Sequence, residues 1–104
     1  MNENIQECVN EEYVVECEEQ TRDNEICIFG TVFYRNQPIK DATVVISHGR
    51  HLIAKCITNC EGKYEFIGER KPYFLRAYKN GRFSNIAKVL KYKNNRAKAD
   101  LMIH

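Results

Sequence analysis

The ten residues Thr58-Asn59-Cys60-Glu61-Gly62-Lys63-Tyr64-Glu65-Phe66-Ile67 hold a turn and a strand in immediate succession. Asn59-Cys60-Glu61-Gly62 has tight-turn chemistry, with Gly62 placed where the backbone takes positive φ at little steric cost. From Lys63 onward, polar and apolar residues alternate at period two. Tyr64 and Phe66 fall on one face and Lys63 and Glu65 on the other, the pattern of a strand buried on one side.

Toward the amino terminus, Leu52 to Thr58 enters this turn as a strand, and His48-Gly49-Arg50-His51 joins it to Asp41 to Ser47, whose Thr43-Val44-Val45-Ile46 is β-branched throughout. Ile26 to Tyr34 comes before these and ends in the turn residues Asn36-Gln37-Pro38. Toward the carboxyl terminus lie Tyr73 to Tyr78, the turn Lys79-Asn80-Gly81-Arg82, then Phe83 to Tyr92 and Ala97 to Ile103. Seven short strands at a spacing of about eight to twelve residues, with no sustained helical periodicity, predict an all-β, seven-stranded antiparallel sandwich over residues 26–104. Residues 1–25 are read as a separate acidic arm. Tyr13-Val14-Val15 could make a short strand within it, while the density of Glu equally suits a helix or an unstructured segment.

Four blocks carry a family resemblance: Ile28-Phe29-Gly30-Thr31-Val32, Pro38-Ile39-Lys40-Asp41-Ala42-Thr43-Val44-Val45-Ile46, Thr58 to Phe66, and Tyr73-Phe74-Leu75-Arg76-Ala77. In order and spacing the chain resembles the carboxypeptidase regulatory-like family of transthyretin-like sandwiches. The resemblance implies an immunoglobulin-like Greek-key order, with Ile28, Gly30 and Val32 facing the core. Pro72 departs from the family pattern, which has glycine before the tyrosine. These are scaffold motifs, and the architecture hosts carriers, adhesin stalks and fibre subunits alike.

At 104 residues and 43% hydrophobic, the chain makes one domain with one modest core. No apolar run approaches the roughly 18 residues of a membrane span, and Met1 to Glu7 has neither the basic nor the apolar region of a signal peptide. Synthesis in the cytoplasm is expected, with the cell or spore surface open as a final location. Residues 1–25 hold nine acids against Arg22, a net of −8. The remainder has fifteen Lys and Arg against five acids, a net of +10, so the two parts attract each other or each attracts a partner. Five cysteines, Cys8, Cys17, Cys27, Cys56 and Cys60, cannot all pair within one chain. As strand residues, Cys27 and Cys56 suit the interior; Cys8 and Cys17 lie in acidic sequence with little core to enter.

Catalysis finds no support. Ser47 and His48 are neighbours in a strand, so their side chains point to opposite faces, and no acid follows at a useful place. An internal isopeptide bond of the kind found in similar sandwiches is not expected, because the first strand has no lysine and the last no asparagine. His48 and His51 can face each other across their hairpin, but Cys56-x-x-x-Cys60 is longer than a zinc knuckle. No metal, cofactor or enzymatic activity is expected. The basic residues are scattered, with a loose cluster from Lys88 to Lys98 and no nucleic-acid motif, so nucleic acid is not an expected partner.

If Ile28, Gly30 and Val32 point inward, then Cys27, Phe29, Thr31 and Phe33 point outward; Phe74 and Tyr78 are likewise out of phase with Tyr73, Leu75 and Ala77. Apolar residues on an outer face mark a surface that something covers. The expected cover is the arm, through Tyr13 and Val15, seated on a neighbouring copy and locked by disulfides between chains drawn from Cys8, Cys17, Cys27 and Cys60. This is similar in plan to bacterial fibre subunits. A monomeric module binding a carbohydrate or another polyanion is the alternative.

Overall fold

A computed structural model of the chain describes residues 24–104. Along them run ten strands: β1 (Glu25–Tyr34), β2 (Gln37–Pro38), β3 (Thr43–His48), β4 (His51–Ile57), β5 (Lys63–Glu69), β6 (Tyr73–Lys79), β7 (Arg82–Phe83), β8 (Ala87–Val89), β9 (Arg96–Lys98) and β10 (Leu101–Ile103). The fold is all-β and divides into two sheets. In the first, β1 is central, with β5 and β2 antiparallel to it and β9 and β10 parallel to it. In the second, the order is β4–β3–β6, and β7 and β8 both pair with β6. Ile26, Ile28, Val32, Tyr64 and Phe66 of the first sheet meet Val44, Ile46, Tyr73, Leu75 and Ala77 of the second in one buried core.

The reading of seven antiparallel strands needs correction: Gln37–Pro38, expected as part of a turn, pairs with β1 as β2, and two of the seven strands are each split in two. Phe83 to Tyr92 splits into β7 and β8 because Ser84 takes up the β6 bonds by itself: its hydroxyl accepts from Ala77 N–H at 2.8 Å and its own N–H donates to the Ala77 carbonyl at 2.8 Å. The last strand splits into β9 and β10 at Ala99–Asp100, where the Asp100 carboxylate accepts from Thr31 N–H at 2.9 Å in place of a backbone carbonyl. Both pieces run parallel to β1, and a strand's side-chain pattern carries no direction from which that could be read.

The turn before β5 forms as its residues dictate. Asn59 Oδ1 accepts from the N–H groups of Glu61 and Lys63 at 2.9 and 3.0 Å, and Gly62 has φ +76°. The Thr58 hydroxyl, buried beside it, accepts from Ala42 N–H at 2.9 Å and donates to the Ile39 carbonyl at 2.8 Å. Gly30 lies mid-strand for a packing reason: a Cβ there would sit 1.9 Å from the Ala99 carbonyl oxygen and 3.1 Å from the Tyr64 ring. Among the described residues, no helix is long and apolar enough to cross a membrane.

Candidate functional site

Because Val44 and Ile46 of β3 and Tyr73, Leu75 and Ala77 of β6 enter the core, the residues between them face away from it. Register then sets Ser47 beside Phe74, Val45 beside Arg76 and Thr43 beside Tyr78. Phe83 of β7 lies opposite Tyr78, the two rings tilted with centroids 5.7 Å apart. Val45, Phe74, Tyr78, Phe83 and Ile86 line a groove of about 320 Å³ on this outer face. On β4, Lys55 and Ile57 extend the same face opposite Val45 and Thr43. A register shift between Ile46 and Ser47 brings Leu52 opposite Ser47, so Leu52 joins them, and both it and Ile57 are 58% exposed.

Cations surround these rings. The Arg76 guanidinium lies over Phe83 at 4.5 Å and Lys88 Nζ over Phe74 at 5.9 Å. The surface is therefore apolar at its centre and positive at its rim. It suits a segment that presents aliphatic or aromatic side chains between carboxylates.

Phe29 and Phe33 lie on the other side of the molecule. They project from the outer face of the first sheet, Phe29 beneath the Arg96 guanidinium at 5.3 Å and Phe33 beside Met102, which is 42% exposed. The residues expected to form one interface thus separate into two: Phe74 and Tyr78 share the groove, and Phe29 and Phe33 share the opposite face. Tyr13, Val15, Cys8 and Cys17 lie outside the described residues. The groove residues Val45, Phe83 and Ile86 were missed in the sequence. Val45 could have been found, being out of phase with Val44 and Ile46; Phe83 and Ile86 could not, because their strand breaks between them.

Cys27 and Cys60 are both disulfide-bonded, whereas Cys56 is a free thiol. Burial, and secondarily the charge of Glu65, push the Cys56 thiol above its ordinary pKa, and its sulfur donates to the Glu65 carbonyl at 3.3 Å. A thiol held protonated in this way is a poor nucleophile. His48 and His51 are register partners, and His48 Nδ1 lies 2.7 Å from the Pro72 carbonyl oxygen. Among the described residues, no three or more His, Cys, Asp or Glu side chains are grouped so as to hold a metal.

The Tyr64 hydroxyl donates to the Ala99 carbonyl, and burial, with the nearby Asp100 and Cys56, pushes its pKa well up. The Tyr92 hydroxyl donates to the Lys71 carbonyl at 2.9 Å, and its pKa is pushed up to about 12, mainly by burial.

No family model matches the chain, and no curated protein matches it. Among solved structures it is similar to a DUF3823 family protein from Parabacteroides merdae, at 12% identity and a TM-score of 0.58, over 77% of this chain and 46% of that one. The chain thus spans less than half the length of that neighbour, and at this identity the likeness bears on the fold alone.

Proposed function

We propose that this chain is a non-enzymatic structural subunit of the carboxypeptidase regulatory-like kind, which assembles head to tail. The acidic amino-terminal segment of one copy seats on the groove between β3, β6 and β7 of the next. The observation that carries this reading is the groove itself: Val45, Phe74, Tyr78, Phe83 and Ile86 at its centre, with Arg76 and Lys88 over its rings. The chain contains one segment of matching character. Tyr13-Val14-Val15 lies between Glu11-Glu12 and Glu16, in a stretch of net charge −8. Charge would guide the encounter, and burial of apolar side chains, worth about 2 kcal/mol each, would hold the contact.

A head-to-tail contact uses two different surfaces, and two complementary variants test it. One carries Phe83→Glu with Ile86→Glu and lacks the groove; the other carries Tyr13→Asp with Val15→Asp and lacks the segment. Each alone is expected to be monomeric by sedimentation, and their mixture to form heterodimers, since one intact groove and one intact segment remain. A mixture that stays monomeric contradicts the reading, as does assembly by either variant alone.

A further inference from the structure

We infer that Cys27 and Cys60 are bonded, one each, to Cys8 and Cys17, so that two disulfides within the chain tie the acidic amino-terminal segment to β1 and to the turn before β5. Cys27 and Cys60 both carry disulfides, and Cys56 is free. They are not bonded to each other. Cys60 lies in the turn whose Gly62 carbonyl accepts from Val32 N–H at 2.8 Å, and Val32 is five residues along the extended β1 from Cys27. At about 3.3 Å per residue this is roughly 16 Å, whereas the Cα atoms of a disulfide lie about 4.4–6.8 Å apart. Cys8 and Cys17 are the only other cysteines in the sequence.

Burial supports the assignment. Cys27 lies on the outward side of β1, between the core residues Ile26 and Ile28, yet it is 0% exposed. Reach permits the pairing, because the nine-residue step from Cys8 to Cys17 covers up to about 30 Å, more than the separation of the two anchors.

Each bond forms by exchange with an oxidised dithiol oxidant. Two protein thiols lose two protons and two electrons, and the oxidant's disulfide becomes two thiols. The clamp therefore belongs to a chain that meets an oxidising compartment. It stands whether or not copies associate.

Trypsin provides a direct test, because Cys8 and Cys17 share the peptide 1–22, Cys27 lies in 23–35, and Cys56 and Cys60 share 56–63. Full-length protein is alkylated under denaturing conditions without reductant and then digested. The expected product is one covalent species of these three peptides carrying a single alkyl group, on Cys56, and it comes from a band that runs as a monomer in a non-reducing gel. In Cys27→Ser, peptide 23–35 should be lost from that species while 1–22 stays joined to 56–63. Recovery of 23–35 joined to 56–63 without 1–22, of 1–22 closed on itself, or of these links only in bands of dimer size or above overturns the assignment.

Discussion

At Gly30 the backbone of the link between β9 and β10 occupies the space a side chain would fill. A Cβ would sit 1.9 Å from the Ala99 carbonyl oxygen, so Gly30→Ala must displace the link between β9 and β10, and a loss of more than about 3 kcal/mol is expected in chemical denaturation. Gly81 is the contrast: φ is +80° but nothing lies within 4 Å of its Cβ position, so Gly81→Ala should cost about 1 kcal/mol through the backbone alone. Thr58→Val keeps the shape and removes a hydroxyl that serves both Ala42 N–H and the Ile39 carbonyl. One buried and one partly buried group lose their partner, and a cost of about 2 kcal/mol is expected. Tyr92 titrates in a range that can be followed. Its pKa is about 12 when folded, against about 10 when unfolded, so above pH 10 the unfolded state gives up the proton first. The stability this raised pKa contributes is complete below about pH 10 and is lost as the pH rises to about 12. Tyr92→Phe should flatten that part of a stability curve against pH, and tyrosinate absorbance in the folded protein should rise correspondingly late.

At the level of the elements, the outer face of the second sheet is where stability and association should come apart. Phe83 is 47% exposed and Ile86 56% exposed, so Phe83→Glu with Ile86→Glu should move the thermal midpoint by only a few degrees while abolishing self-association. A large loss of stability would mean that these residues support the fold rather than a contact. The strands that alternate cleanly were legible in the sequence. Lys63 to Ile67 and Tyr73 to Tyr78 lie within β5 and β6, and Asn59 to Gly62 forms the expected turn. Where a side chain replaces a backbone partner, legibility failed. Ser84 and Asp100 each look like an ordinary polar residue in a strand, and nothing local marks the bond to Ala77 or Thr31 that ends it. The outward aromatics were legible from phase alone. That Phe29 and Phe74 lie on opposite faces follows from which strands share a sheet, and this is decided by the packing of the whole core.

At the scale of the molecule, residues 24–104 form a sandwich whose two outer faces differ in character. One bears Phe29, Phe33 and the disulfide-bonded Cys27, and the other bears an apolar groove with a basic rim. Surfaces that differ in this way and sit on opposite sides favour chains of subunits over closed dimers. Attraction between the −8 and +10 portions is screened over roughly 8 Å at physiological ionic strength, so salt should slow the association of copies while leaving dissociation nearly unchanged. Stopped-flow light scattering at rising salt measures both rates. The most direct test of head-to-tail assembly is the molar mass of the intact chain, from light scattering coupled to size exclusion across a concentration series. Head-to-tail assembly predicts a mass that climbs past 24 kDa in steps of the 12.2 kDa subunit as concentration rises, with no fixed endpoint. A mass that stays at 12.2 kDa at every concentration, or stops at a dimer, would contradict it.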